Sequence, residues 1–317
     1  MEQFLDFERA ALDISTQIQA LHEALAAGND SAEKDAAGEI ERLKLHKAKV
    51  LRDIYRHLNP WQVVQVARHP ARPQPRDYIQ HLIANFQPLA GDRCFGDDKA
   101  VLAGLGYFNA QPVAVLGVDK GKGTTDKVAK NFGMPRPDGY RKAKRIMELA
   151  DKFNLPLLTF VDTPGAYPGV DAEARGQGQA IAACIETLLN INVPVVSTIT
   201  GEGGSGGALA LAVADSVLML QYSVYSVISP EGCAAILWKD ANKETVPAAA
   251  DALKLTAQNL FEQGLIDGVI QEPVGGAHRD SALITKRVGE AVASALHTAG
   301  SGSSAARRAK FIGLTAI

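Results

Sequence analysis

The first sixty residues carry apolar side chains at helical spacing. Two series recur every three or four positions: Ile14, Ile18, Leu21 and Leu25, then Ile40, Leu43, Val50, Ile54 and Leu58. This spacing places each series on one face of a helix. The polar stretch AAGNDSAEKDAAG, residues 26–38, lies between them. We predict an N-terminal helical hairpin within residues 1–68, whose apolar face packs on its own chain or contacts another subunit.

From about residue 98 the pattern changes to short, nearly continuous apolar runs. These runs fall at 112–119, 155–162, 193–200, 216–220, 224–229 and 266–270. Segments with helical periodicity, such as GYRKAKRIMELADKF, separate several of them. Apolar strands alternating with helices are typical of parallel strands buried on both faces. The pattern predicts an α/β fold, with a main domain over 69–290 and a helix end and loosely held tail over 291–317.

The composition excludes several classes of protein. A share of 46% hydrophobic and 21% charged residues is ordinary for a globular chain, and the formal net charge is −2. This charge gives no general attraction to nucleic acid or anionic lipid. No apolar run approaches the roughly 18 residues of a membrane span, and the start MEQFLDFERAALD does not resemble a secretory signal. We expect a soluble, cytoplasmic protein with no membrane and no specific nucleic-acid partner.

Cysteine and histidine give no sign of a metal site. The 3 cysteines include no C-x-x-C pair, and the 7 histidines lack the spacing of metal ligands. An odd number of widely spaced cysteines is typical of a protein from a reducing compartment. We predict no metal in this chain.

The sequence GEGGSGG at 201–207 lies between a predicted strand and a run of small apolar residues. Two further glycine-bearing loops, at 119–125 and 162–169, also follow predicted strands. Ligands bind at the carboxyl ends of such strands. Each glycine weakens regular structure by about 0.5–1 kcal/mol relative to alanine, so a close approach to the backbone must require them.

The glycines of this loop and of the 117–124 segment allow four interpretations. A dinucleotide fingerprint over Gly201, Gly203 and Gly206 lacks the acidic residue about 20 positions later. A phosphate-binding loop at 117–124 fails on spacing. A serine hydrolase would use Ser205 in G-x-S-x-G, followed by Asp267 and His278. The fourth is a backbone anion hole, in which unpaired amides at a helix start bind a developing oxyanion, and it accounts for the whole run.

Several segments together resemble one family. They are KNFGMPRPDGYRKA (130–143), FVDTPGAYPG (160–169), GEGGSGGALA (201–210), YSVISPEGCAAILWK (225–239) and PVGGAH (273–278). In this order they resemble the carboxyltransferase α subunits of acetyl-CoA carboxylases, from FLDFE near the N-terminus to about residue 280. The resemblance implies a crotonase-like superhelix of ββα units over the main domain.

The resemblance also implies an activity and partners. Such a chain would transfer the carboxyl group from carboxybiotin, held on a separate biotin carboxyl carrier protein, to acetyl-CoA. The product would be malonyl-CoA, in the first committed step of fatty acid biosynthesis. A β subunit carrying a zinc ribbon would complete an α₂β₂ heterotetramer, and ATP would be used only by a separate biotin carboxylase component.

The resemblance assigns the catalytic role to the paired amides of Gly206 and Gly207, which would hold the ureido oxygen. Gly203 and Gly204 would give the loop its required dihedral angles. The carboxybiotin side of the site is expected to include the following residues: Gly203, Gly204, Ser205, Ala208, Gly165 and Ala166.

Other polar residues have two interpretations each. Lys120, Lys122 and Lys127 form either a basic rim or a solvated face. Glu202 is a base or a hydrogen-bonding group, and Asp162 is expected to cap a turn. Ser229, Pro230 and Glu231 are typical of a helix start, although Glu231 would be the acid or base of a crotonase-type hydratase or isomerase. A non-catalytic scaffold subunit is a further alternative.

Overall fold

The computed structural model describes residues 3–26, 33–300 and 302–314. Within these ranges the α-helices are α1 (Arg9–Ala26), α2 (Glu33–Tyr55), α3 (Pro60–Ala67), α4 (Pro75–Leu82), α5 (Gly123–Ala129), α6 (Pro137–Lys152), α7 (Val170–Ala174), α8 (Gln177–Asn190), α9 (Ser205–Ala212), α10 (Pro230–Leu237), α11 (Thr245–Ala252), α12 (Ala257–Glu262), α13 (Ser281–Ala299) and α14 (Ser304–Gly313). The strands are β1 (Ala84–Pro88), β2 (Val101–Phe108), β3 (Gln111–Val118), β4 (Leu157–Thr163), β5 (Val195–Gly204), β6 (Ser216–Leu220), β7 (Val224–Ser226) and β8 (Gly268–Ile270). The predicted α/β class is confirmed. No helix in the described ranges has the length and apolar character needed to span a bilayer.

The described strands form one mixed sheet in the order β1-β2-β3-β4-β5-β6-β8, with β7 paired to the end of β5. From β3 onward every pairing is parallel. The strands β3 to β8 correspond to the six predicted apolar runs. The antiparallel strands β1 and β2 are absent from the prediction.

The β2–β3 hairpin turns at Asn109 and Ala110, whose φ angles are 48° and 63°. Two consecutive residues with positive φ are typical of the tight turn that matches the twist of a two-residue hairpin. The asparagine is the one signal in the sequence that favours such a turn. Alanine at the second turn position makes the turn hard to predict, because glycine is the usual residue there.

Apolar side chains cover both faces of the sheet, and the central strand β4 is therefore buried at every position. On one face α6, α8 and α9 pack over the strands, with Tyr140, Cys184 and Leu211 among the fully buried residues. On the other face α4 and α13 supply buried side chains such as Tyr78 and Val288. Central parallel strands are covered in this way because a bare face would expose continuous apolar surface.

The predicted N-terminal hairpin is present as α1 and α2. The connection is shorter than the predicted 26–38, since α2 begins at Glu33, and residues 27–32 lie outside the described residues. The base of the hairpin packs on the main body, where the Tyr55 ring lies 5.2 Å from that of Tyr222. The buried Glu8 accepts hydrogen bonds from Tyr55 and Arg279. The division into domains at residues 68 and 290 stays a prediction.

The prediction of a loosely held tail is wrong for residues 304–313. These residues form α14, which is docked on α8 by Arg307, a side chain only 1% exposed. Ser303 caps the helix by accepting a hydrogen bond from the Ala306 amide. Residues 301 and 315–317 lie outside the described residues.

Candidate functional site

The glycine loop joins the end of β5 to the start of α9. β5 ends at Gly204 and α9 begins at Ser205, whose φ of +55° lies in the left-handed region. Pairing of Thr163 with Gly203 brings the turn after β4 beside this loop. Because β4 and β5 are parallel, both loops lie at the same edge of the sheet, where ligands of such sheets bind.

Close approach of the backbone explains two of the glycines, Gly204 and Gly207. A Cβ atom at Gly204 would lie 2.1 Å from the carbonyl oxygen of Pro164, and one at Gly207 would lie 2.5 Å from the Ala166 nitrogen. The expectation that Gly203 and Gly204 supply unusual dihedral angles is wrong. Gly204 has an ordinary φ of −93°, and Gly203 is required because a Cβ there would lie 2.9 Å from the Tyr225 ring.

The amides of Gly206 and Gly207 belong to the first turn of α9, where no intrahelical acceptor exists. No acceptor for either amide lies among the described residues. The helix places the positive end of its dipole at the same point. Gly206 is half-buried and Gly207 is buried. Two unpaired N–H groups in such surroundings form a candidate site for an anionic oxygen.

The predicted residues Gly165 and Ala166 do lie against the loop. Thr163 fixes their turn, since its hydroxyl accepts a hydrogen bond from the Gly165 amide at 3.0 Å. The Ala166 amide has no acceptor among the described residues and lies beside Gly207. The hydroxyl of the buried Tyr140 is also next to Gly207, and it too has no hydrogen-bond partner within the described part of the chain.

The remaining predicted loop residues differ in exposure. Ser205 is exposed and Gly204 is half-buried, whereas Gly203 and Ala208 are buried. The Ala208 side chain belongs to the core beneath α9. A ligand would therefore meet Ser205 through its side chain and the glycines through their backbone. The role of each of these residues in binding stays a prediction.

A network of paired charges lies directly before the loop. Glu202 accepts hydrogen bonds from Arg68 Nε and Lys120 Nζ, each at 2.6 Å. Lys120 Nζ also lies 2.7 Å from the Asp162 carboxylate. That carboxylate accepts a hydrogen bond of 2.8 Å from the backbone amide of Glu202. Arg68 reaches Glu231 as well, at 2.5 Å. Contrary to the expectation, Asp162 therefore does not cap its own turn but binds Lys120 and the Glu202 backbone. The network joins the ends of β4 and β5 to Arg68, Lys120 and Glu231.

The network favours the ionised form of Glu202. Burial opposes ionisation of this carboxyl, but the charges of Lys120 and Arg68 outweigh burial and hold its pKa at about 2. Burial likewise opposes the charge of Lys120, yet Asp162 and Glu202 raise its pKa above the ordinary value. A carboxyl this acidic does not accept a proton near neutral pH, so Glu202 lacks the property that a general base needs.

The three lysines of the predicted rim have different surroundings. Lys120 points inward to its two carboxylates and is only 17% exposed, so it does not belong to a solvent-facing rim. Lys122 is exposed and pairs with Asp77 at 2.7 Å, and Lys127 is half-buried at the end of α5. The rim remains a prediction for Lys122 and Lys127.

The geometry does not assemble a serine-hydrolase triad. Asp267 accepts hydrogen bonds from Lys310 and the Val217 amide. The His278 ring instead stacks on His69 at 3.7 Å, and neither of its nitrogens has a hydrogen-bond partner among the described residues. Burial, followed by the neighbouring His69, lowers the pKa of His278 to about 3. A triad requires the carboxylate to orient the histidine and the histidine to reach the serine.

Glu231 also has a structural role. α10 begins at Pro230, and the Ser229 hydroxyl accepts the Gly232 amide at 3.1 Å, so the predicted helix start is confirmed. The Glu231 carboxylate is held by Arg68. A hydratase acid or base in this position would have to leave that ion pair.

An apolar pocket of about 490 Å³ opens beside the glycine loop at Ser205 and Gly206. Its lining consists of Ser205, Gly206, Leu209, Ala212, Val217, Tyr225, Ser226, Val227, Leu260, Leu265, Phe311 and Leu314. The sequence pattern gives no sign of this pocket, because its walls come from four separate segments of the chain. No group of three or more His, Cys, Asp or Glu side chains that could hold a metal ion occurs in residues 3–26, 33–300 and 302–314.

Comparisons with known proteins agree on one family. The family model described as "Acetyl co-enzyme A carboxylase carboxyltransferase-like" matches residues 4–312. The chain is 52% identical over 293 residues to the acetyl-coenzyme A carboxylase carboxyl transferase subunit alpha of Paraburkholderia phymatum, covering 92% of this chain and 89% of that protein. It is 53% identical over 296 residues to the protein of the same name from Gluconacetobacter diazotrophicus, covering 93% and 91%.

A solved structure supports the fold independently. Transcarboxylase 12S, determined with methylmalonyl-coenzyme A and methylmalonic acid bound, superposes with a TM-score of 0.59 at 20% identity. The match covers 72% of this chain and 41% of that chain. The expected crotonase-like fold is confirmed by this likeness.

Proposed function

The chain belongs to the acetyl co-enzyme A carboxylase carboxyltransferase-like family, and we propose that it is the α subunit of an acetyl-CoA carboxylase carboxyltransferase. It transfers the carboxyl group from carboxybiotin on a carrier protein to acetyl-CoA and so forms malonyl-CoA for fatty acid biosynthesis. The observation that carries the site assignment is the pair of unpartnered amides at Gly206 and Gly207.

Carboxybiotin supplies the carboxyl group, and release of that group leaves negative charge on the ureido oxygen. The Gly206 and Gly207 amides would donate hydrogen bonds to this oxygen. They are held in place by the 164–166 turn and need no reorganisation as the charge forms. A preorganised donor of this kind is worth about 2.7–4 kcal/mol of barrier reduction. The paired charges beside the loop hold the two loops together and do not transfer protons.

A β subunit is proposed to complete the active site as part of an α₂β₂ heterotetramer, and to carry the zinc. The surface near the loop supports a protein partner. Val227, at the pocket, is 78% exposed, and the end of α10 exposes Ile236, Leu237 and Trp238. Clustered exposed apolar side chains mark protein interaction surfaces. The biotin carboxyl carrier protein would approach the same face, and biotin carboxylase would use the ATP.

The reaction is proposed to take place in the cytoplasm. Cys94, Cys184 and Cys233 are free thiols, which are typical of a reducing compartment.

The function is tested by co-expressing the chain with a carboxyltransferase β subunit and purifying the complex. Malonyl-CoA decarboxylation is then measured with free biotin as the carboxyl acceptor. We expect acetyl-CoA formation that depends on biotin and on both subunits. Activity of the chain alone as an enoyl-CoA hydratase, or labelling of Ser205 by a fluorophosphonate, would contradict the proposal.

A further inference from the structure

The C-terminal helix α14 forms one wall of the apolar pocket beside the glycine loop. Phe311 and Leu314 line the pocket from this helix, and Ser205 and Gly206 line it from the loop. Phe311 also packs against the main hydrophobic core. Part of the pocket wall therefore comes from a segment that follows the rest of the fold in the chain.

A buried arginine fixes the position of this wall. Arg307 donates five hydrogen bonds: to the carbonyl oxygens of Leu188, Ile191 and Val193, and two to the carboxylate of Asp215. Every contact lies between 2.5 and 3.1 Å. A buried guanidinium is tolerated only when its donors are paired in this manner, so the position of α14 on the protein is well defined.

The helical repeat links the arginine to the pocket. Arg307, Phe311 and Leu314 are spaced by four and three residues and so lie on one face of α14. Phe311 is one turn, or about 6 Å, beyond the arginine. A second anchor lies between them, where Lys310 contacts Asp267 at 2.6 Å. Movement of the arginine would therefore move the phenylalanine.

The lining indicates the chemistry of the occupant. Among the described residues that form the pocket none carries a charge, so the walls offer nothing to the phosphates of coenzyme A. A volume of about 490 Å³ lies within the roughly 300–1,000 Å³ of small-molecule sites. The pocket is far larger than an acetyl group requires. A neutral fused ring, with one polar edge turned to the Gly206 amide, matches both the lining and the size.

We propose that Phe311 is a specificity-determining residue that packs against the ring system of biotin, and that Arg307 is its positioning residue. The inference rests on the proposed function, because it extends the Gly206–Gly207 site to the apolar part of the same substrate. Phe311 sets how deeply the ring enters, and thereby aligns the ureido oxygen with the amides.

The first test measures the KM for free biotin and for malonyl-CoA in the complex with the β subunit. Phe311→Ala removes the wall, and we expect the KM for biotin to rise roughly tenfold while the KM for malonyl-CoA is unchanged. Phe311→Leu keeps an apolar side chain there and should stay within about threefold of wild type. Phe153→Ala is the matched control, since Phe153 is exposed at the far end of α6.

The second test compares two neighbouring arginines of α14. Arg307→Met should raise the KM for biotin in the same direction as Phe311→Ala. Arg308→Met should raise it much less, because Arg308 is exposed and its hydrogen bonds to the Leu189 carbonyl oxygen and the Asn190 side chain lie at the surface. A purely structural role for Arg307 would lower the melting temperature and leave the KM for biotin as in wild type. If Arg307→Met does not fold, the Phe311 variants decide the question alone.

The outcomes separate the two proposals. An inactive wild-type complex would contradict the proposed function. An active complex in which Phe311→Ala leaves the KM for biotin unchanged, or alters only the KM for malonyl-CoA, overturns the present inference and leaves the proposed function intact.

Discussion

Two neighbouring regions at the carboxyl ends of β4 and β5 differ in how they are built. The glycine loop presents backbone amides at Gly206 and Gly207 that have no acceptor among the described residues. The network around Glu202 consists of side-chain charges, each bound to an opposite charge. The glycine loop therefore has unpaired hydrogen-bond donors, whereas the donors of the Glu202 network are already paired with carboxylates.

The difference indicates that the two regions have different roles, one structural and one in binding. Lys120 and Arg68 are the cations adjacent to the loop, and both are committed to carboxylates. They hold the loops in register, while the amides remain available to an anionic oxygen. A mutation in the loop should therefore affect catalysis, and a mutation in the network should affect stability. The predictions below test this separation.

The largest expected effect is that of Gly207→Ala on carboxyl transfer. The new Cβ would lie 2.5 Å from the Ala166 nitrogen and 2.7 Å from the Gly165 carbonyl carbon, so the backbone must shift and the amides lose their alignment. Loss of one oxyanion donor costs about 10²–10³ in kcat. We expect at least about a 100-fold loss in biotin-dependent malonyl-CoA decarboxylation.

The matched control is Gly178→Ala. This glycine is exposed in α8 and has no atom within 4 Å of an added Cβ, so activity should equal that of wild type. Gel filtration of both variants with the β subunit checks assembly. A folded and assembled Gly207→Ala complex with full activity would separate the amides from catalysis.

The next effect is the loss of stability in Glu202→Gln. The substitution leaves Lys120 inside the protein with only Asp162 as counter-charge and deprives Arg68 of one of its two carboxylates. Removing one partner of a buried ion pair costs about 3–5 kcal/mol, and the partial exposure of Arg68 favours the lower end, so we expect about 3 kcal/mol. Urea denaturation measures the free energy of unfolding. Glu148→Gln, which removes an exposed pair with Lys144, should resemble wild type.

The same carboxyl predicts a pH dependence of stability. The pKa of Glu202 is lowered from 4.5 to about 2 in the folded state, so its stabilising contribution is complete above about pH 4.5 and is lost as the pH falls towards 2. The difference in unfolding free energy between wild type and Glu202→Gln should therefore shrink over that range. It should stay constant between pH 6 and 8, and a change in that neutral window would contradict the assignment.

The smallest effect is expected for Ser205→Ala. The hydroxyl is exposed and lies outside any triad, so carboxyl transfer should stay within about threefold of wild type. The φ of +55° is unfavourable for serine and alanine alike, so the melting temperature should change little. A loss of activity as large as that of Gly207→Ala would assign a chemical role to the serine.

The sequence pattern predicts the parallel part of the sheet well, because β4 and β5 are long apolar runs followed by glycine-bearing turns. The anion site at Gly206 and Gly207 is likewise local, since strand, loop and helix start are consecutive in the chain. The pattern does not predict the antiparallel strand β2, because its turn uses Asn109 and Ala110 in place of a glycine pair.

Contacts between distant segments were not predictable from one sequence. Arg68, Lys120 and Glu202 are far apart in the chain, and only the fold brings their charges together. The sequence around Arg307 is typical of a polar tail, because serine, glycine and arginine are common in loose termini. Its five acceptors come from residues 188–215, and no local pattern reveals them.

The most direct test of the account is a crystal structure of the α–β complex with biotin bound. The account predicts the ureido oxygen about 2.7–3.1 Å from the Gly206 and Gly207 nitrogens, with the ring in the pocket that Phe311 closes. A ureido oxygen bound instead to Arg68 or Lys120, with both glycine amides out of reach, would contradict it.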